Sequence, residues 1–194
     1  LSKMELEEKG IVPYDTAIAQ SAVSSLICDL PPNAFAADNS HAIGIDVVLQ
    51  PTSDNVGFRF SLHTSTNGAG TQIGSIGSDR VAQGTSAYLT STNYVDMCAY
   101  GIGNVNRNAN GGERGFSSRI VLFQNAGIGT NSDTIRGYHM GCGQTYTGIP
   151  VAMSGGFQVR STTAYQARSI KFTASSGNIG FGRVYSYYMI TNTA

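Results

Sequence analysis

Residues 168–190 read RSIKFTASSGNIGFGRVYSYYMI, and two alternations within them set the fold class. In 168–174, Ile170, Phe172 and Ala174 point one way, and Ser169, Lys171 and Thr173 the other. In 183–190, Val184, Tyr188 and Ile190 share one face, and Tyr185, Tyr187 and Met189 the other. A period of two belongs to a half-buried strand, because successive side chains leave opposite faces of the pleat. Between the runs, SSGNIGFG has three glycines in eight positions. Two such runs around a glycine-rich bend predict a β-hairpin with one face buried. The final strand is then part of the core.

The same pattern extends upstream. Ala42 to Gln50 is a near-continuous apolar run, as in a central strand. Val56, Phe58, Phe60 and Leu62 alternate with Gly57, Arg59, Ser61 and His63, and Pro51 to Asn55 makes the turn between the two strands. Segments 86–100, 119–124, 132–140 and 156–164 predict further strands. Glycine-rich stretches at 67–78, 101–115, 125–131 and 141–148 separate them. Many short strands between turn clusters predict an all-β antiparallel β-sandwich, jelly-roll-like, over residues 34–194. Residues 1–33 read as an N-terminal extension or linker: LSKMELEEK (1–9) favours a short helical or extended segment, and 16–28 fits helix or strand.

Composition agrees with this class. Glycine accounts for 24 of 194 residues and charged residues for only 12%, against about 25% in an ordinary soluble domain. Net charge is formally zero but unevenly placed. From Arg114 onward there are seven bases and a single acid, Asp133. Those arginines suit either subunit contacts or an anionic ligand. No lysine-rich patch or groove-reading motif points to nucleic acid. Cys28, Cys98 and Cys142 form no CxxC pair and no disulfide framework. No run of eighteen apolar residues calls for a membrane.

The last two strands resemble those of the C-terminal β-sandwich of phage tail-fibre and related virion surface proteins. Ser175, Ser176, Gly177, Asn178, Ile179, Gly182 and Tyr187 carry the likeness, whereas Ser186 and Tyr188 depart from it. The order of segments from 42 to 190 is similar as well. The resemblance implies a virion surface or fibre domain assembled in the host cytoplasm. It implies a homotrimer attached to other virion proteins through its N-terminal segment. It carries no shared catalytic motif, so no enzyme activity and no cofactor are expected.

Candidate binding residues come from two segments. In NVNRNANGGERG (104–115), Asn104, Asn106, Asn108 and Asn110 recur at every second position beside Arg107. Amides that donate and accept suit sugar hydroxyls, but the run also fits a plain polar loop. GYHMGCGQTYTG (137–148) reads as a loop that concentrates Tyr138, His139 and Tyr146, with Arg136 just before it. Tyrosines there can stack on a sugar or pack against a second subunit. A glycan site made from Tyr138, His139, Tyr146, Asn106, Arg107 and Arg136 is the expectation, with host surface polysaccharide as the ligand. The alternatives are a purely structural capsid-decoration or tail protein and a glycan-degrading tailspike component. His139 and Cys142 lack the second ligand pair that a structural zinc needs, so no metal is expected. No carboxylate pair stands out at glycosidase spacing.

Overall fold

The computed structural model describes residues 10–31, 41–53, 56–73, 75–82, 85–98, 115–124, 133–144, 150–161 and 167–190. Among them are twelve strands. They are β1 (Ile11–Ala19), β2 (Ser25–Asp29), β3 (His41–Pro51), β4 (Phe58–His63), β5 (Ser75–Ala82), β6 (Thr85–Thr92), β7 (Val95–Asp96), β8 (Phe116–Gln124), β9 (Asp133–Gln144), β10 (Pro150–Ser161), β11 (Ser169–Ala174) and β12 (Ile179–Ile190). The eight-stranded sheet runs β1-β12-β3-β8-β9-β10-β5-β6, and the four-stranded sheet runs β2-β11-β4-β7. Every ladder is antiparallel.

This order is a jelly roll with two additions. The first strand pairs with the last, and the second with the last but one. The quartets β1-β12-β3-β8 and β2-β11-β4-β7 are the two sheets of that architecture. Antiparallel pair β5–β6 lies between β4 and β7 in sequence, and pair β9–β10 lies between β8 and β11. Both pairs join the larger sheet beyond β8, so two separate excursions of the chain widen the same sheet.

Alternation builds the core. From the larger sheet come Ile43, Ile45, Val47 and Leu49 of β3, Phe116, Ile120 and Leu122 of β8, and Val184 of β12. From the smaller come Leu26, Phe58, Phe60, Leu62, Ile170 and Phe172. Phe58 stacks on Phe116 with ring centroids 6.1 Å apart, and Phe60 meets Phe157 of β10 edge-on at 5.2 Å. Each fully buried side chain of this kind contributes roughly 1.5–3 kcal/mol. At one end a polar clasp joins the sheets. The Asp29 N–H donates to the Asp15 carboxylate at 2.7 Å, and Ser186 Oγ–H donates to the Asp29 carbonyl at 2.6 Å.

Several sequence expectations are corrected. The runs 168–174 and 183–190 do not form a hairpin: β11 pairs with β2 and β4, whereas β12 pairs with β1 and β3. Segment 175–178 instead carries the chain from one sheet to the other, with Gly177 at φ +67, a left-handed value that a side chain disfavours. Likewise β3 and β4 lie in different sheets and are not a strand pair. Alternation reports that one face is buried, and two strands facing each other across a core satisfy it as well as two side by side. Residues 16–28 hold parts of β1 and β2, so the expected boundary at 33/34 does not separate residues 11–31 from the sandwich. Part of the glycine-rich stretch 67–78 belongs to β5. The helical reading of residues 1–9 lies outside the described residues.

Phe172 is fully buried and packs on Phe60 with centroids 6.1 Å apart. Phe172→Ala should therefore lower unfolding free energy by about 3–5 kcal/mol in a urea titration. A loss under about 1 kcal/mol would contradict the placement of β11. Cys28 and Cys98 are buried thiols outside any disulfide, and burial pushes the Cys28 thiol up to about 12. Both should resist alkylation until the chain unfolds, which peptide mapping after iodoacetamide treatment checks.

Candidate functional site

The outer faces of the two sheets differ in chemistry. On the smaller sheet, Arg59, Ser61, Lys171 and Thr173 alternate with the core residues and form a polar surface, while His63 is buried. Arg59 sits over the Tyr94 ring at 4.2 Å and lies 4.0 Å from Asp96. On the larger sheet large apolar side chains stand at outward positions among polar ones such as Asp46, Ser117, Arg119 and Arg183. The exposed large apolar side chains among the described residues are Tyr14, Ile18, Val48, Phe123, Tyr138, Met140, Phe181 and Tyr185. Every one lies on a strand of the larger sheet.

Register places these residues in rows. One row crosses Thr16, Tyr185, Asp46, Arg119, Met140 and Ser154. A second crosses Ile18, Arg183, Val48, Ser117, Cys142 and Ala152. A third crosses Tyr187, Gly44, Val121, Tyr138 and Gly156. The β8–β9 half is concave, a shallow open groove of about 590 Å³ lined by Asp46, Val48, Ser117, Arg119, Tyr138 and Met140. Towards β12 and β1, Phe181, Tyr185 and Ile18 are half-exposed.

An ion pair marks the middle of the face. Arg119 Nε donates to one Asp46 oxygen at 2.7 Å and its terminal nitrogen to the other at 2.8 Å, the two-pronged geometry that suits guanidinium and carboxylate. This carboxylate holds the guanidinium proton more tightly than usual. The pair is half exposed, so in the isolated subunit it contributes little to stability. Beside it the Tyr187 ring occupies the space next to Gly44, where a Cβ would overlap the ring. Burial, reinforced by Asp46, pushes the Tyr187 hydroxyl up to about 12.

The predicted glycan residues fare differently. Tyr138 and Arg136 project from β9 onto this outer face, two residues apart, with the Tyr138 ring 6.2 Å from Phe123. His139, the next residue after Tyr138, turns inward, 1% exposed. Residues 137–144 are strand, not loop, and alternation within a strand forbids Tyr138 and His139 from sharing a surface. Tyr146, Asn106 and Arg107 lie outside the described residues. Sequence reasoning passed over Asp46, Arg119, Met140, Phe181 and Tyr185 as surface elements. A signal for them was present: in an antiparallel sandwich a strand with one wet face should alternate, yet 42–50 and 119–123 also carry Val48, Val121 and Phe123 at outward positions, beside Asp46 and Arg119.

Among the described residues, no three His, Cys, Asp or Glu side chains converge as metal ligands, and no helix is long and apolar enough to cross a membrane. No protein-family model matches the chain, and neither a curated protein nor a solved structure shows significant similarity to it.

The raised Tyr187 value has a consequence for stability. The unfolded tyrosine ionises near 10 and the folded one only near 12. The associated stability is complete below the lower value and is lost as pH climbs from one to the other. Tyr187→Phe should flatten the fall in unfolding free energy between about pH 10 and about pH 12. An identical slope in both proteins would mean that Tyr187 is not desolvated.

Proposed function

We propose that the chain is a structural jelly-roll domain of a virion surface or tail-fibre protein, which assembles as a homotrimer and does not catalyse. One observation carries the reading: exposed large apolar side chains gather on one sheet, while the other sheet is polar outside. A protein meant to stay alone in water rarely keeps so wide an apolar face, and one built into an assembly needs it. The jelly roll serves in viral capsid domains and lectins alike, and the resemblance of 175–187 to fibre proteins favours the first. The N-terminal segment would join the domain to other virion proteins.

A second reading, host glycan binding, keeps one specific support. Tyr138 and Arg136 share an exposed surface beside the Asp46–Arg119 pair, a combination of aromatic face and charged hydrogen-bonding groups that suits a sugar.

Light scattering of the purified chain should give three times its mass of 20.4 kDa. A monomer at tens of micromolar overturns the assembly reading. Tyr138→Ala distinguishes the two readings. Under assembly it weakens the oligomer; under glycan binding it leaves mass unchanged and weakens adsorption to host polysaccharide by about 1–2 kcal/mol.

A further inference from the structure

His63 and Ser169 are buried on the wet face of the smaller sheet. Phe58, Phe60 and Leu62 of β4 and Ile170 and Phe172 of β11 point into the core, so the alternate positions belong to the outer face. There Arg59, Ser61, Lys171 and Thr173 keep contact with water, yet His63 is 8% exposed and Ser169 not at all. The two are register partners, and Asp29 of β2 lies beyond Ser169 in the same row. The cover is the chain's own segment 64–72, which leaves β4, folds back over the sheet and returns at Ile73. Its neck is closed by Thr64 N–H to the Thr71 carbonyl at 3.1 Å and Ile73 N–H to the Leu62 carbonyl at 2.8 Å. Its tip is tied to the sheet. Asn67 N–H donates to the Asp29 carboxylate at 2.6 Å, Gly68 N–H to Ser169 Oγ at 3.1 Å, and Ser169 Oγ–H to the Ser65 carbonyl at 2.7 Å. We propose that segment 64–72 is an acid-released strap, closed over the smaller sheet while His63 is neutral and lifted from it when His63 takes up a proton. The device lies within one chain, on the sheet opposite the apolar face, and does not depend on the assembly reading.

The strap is built to open locally. None of residues 64–72 is buried. Its closure rests on the hydrogen bonds of the tip and on the fit of Gly68 against Ile27, where a Cβ would come within 2.7 Å of the isoleucine Cδ1. A segment without buried apolar contacts of its own opens at low cost while the core stays shut.

His63 couples that opening to acid. Its Nε2 lies 3.0 Å from Ser61 Oγ, while Nδ1 is buried with no hydrogen-bond partner. An imidazolium donates from both nitrogens, and a buried N–H without an acceptor is costly. The charged groups around the ring offer little relief. From β11, Lys171 repels a second positive charge, and Arg168 acts on Tyr188. On β4 itself, Arg59 lies over the Tyr94 ring. From β2, Asp29 stands beyond Ser169, with one oxygen taken by the Asn67 N–H. The strap, TSTNGAGTQ, has no ionisable side chain. Burial first and Lys171 second hold the covered imidazole below its usual 6.5, against a weaker opposite pull from the Gly70 backbone. With the strap lifted, the ring meets water and ionises near 6.5 again. Closure is therefore complete above about pH 6.5 and weakens as pH falls from there towards the lower value of the covered ring.

Hydrogen exchange of the full chain, read by mass spectrometry on the peptide spanning 64–72 and corrected for the intrinsic exchange rate, tests this between about pH 7.5 and about pH 5. Protection of the tip should fall about tenfold across that range, within a ceiling of about 30-fold at 1.5 pH units below 6.5. Peptides from β3 and β12 should keep their protection. His63→Gln, whose amide can still bond Ser61, should make the tip indifferent to pH. Asp29→Asn, which keeps an acceptor for the Asn67 N–H, should retain the fall. Ring-proton NMR of the unaltered chain stands in if His63→Gln fails to fold: the His63 resonance should titrate below 6.5 and shift over the range in which the tip loses protection. Tip protection that does not change with pH overturns the proposal, as does a fall that survives in His63→Gln or vanishes in Asp29→Asn. So does a His63 ring that titrates at or above 6.5, or a loss shared equally by β3 and β12, which is general acid unfolding.

Discussion

The contact of Phe58 with Phe116, and of Phe60 with Phe157, is what the rest of the molecule is arranged around. In each pair one ring comes from the smaller sheet and the other from the larger. Neither sheet is stable alone, because each has one apolar face that water would otherwise wet. Ring-to-ring packing across the gap fixes the sheet separation, and the aliphatic side chains of β3 and β11 fill what remains at interior density. The strands that bring the rings in are far apart in sequence. The fold therefore depends on long-range pairing, including the closure of β12 between β1 and β3.

That closure has a further effect. The added strands β9 and β10 pair beyond β8, and β5 and β6 beyond them, so the larger sheet outgrows the smaller. A four-stranded sheet cannot cover eight strands. Part of the larger sheet's surface is left to find other cover, and its outer side carries large apolar side chains as well. Val121 and Tyr187 are already buried there within the single subunit. The Asp46–Arg119 pair sits among these apolar groups as a fixed polar point. If that surface is covered, the pair loses solvent, and its two-pronged geometry then matters more than its strength, since a desolvated pair tolerates only partners that keep it satisfied.

The two candidate activities of the face compete for one surface. A jelly roll can serve as a lectin or as a building block, and fold alone does not separate these. Here the distribution of side chains favours the building block. A sugar site needs a few aromatic faces and a dense set of hydrogen-bonding groups, whereas this surface offers Met140, Val48, Ile18 and Phe181 around a single ion pair.

Much of this was legible in the sequence. Alternation in 42–62 and 168–190 identified β3, β4, β11 and β12 and the inward identity of Ile170, Phe172 and Val184, because a strand's period is local and needs no partner to be read. Low charge and abundant glycine pointed to an all-β chain with many turns. The sequence misassigned what depends on partners. It joined β11 to β12 and β3 to β4 as hairpins, since a buried face looks the same whether the neighbouring strand lies beside it or across the core. It set β1 and β2 apart as a linker, because their partners in β12 and β11 are a hundred and forty or more residues away. It placed Tyr138 and His139 in one loop site, although the strand that holds them sends one to the surface and the other into the core. The Asp46–Arg119 pair spans 73 residues and has no local signature. Sequence determined that the segments of β3, β4, β11 and β12 are strands and which of their residues face the core. Only the tertiary structure decided which strands meet, and hence which apolar face became core and which was left at the surface, because register and sheet order are set by contacts that no local stretch of chain contains.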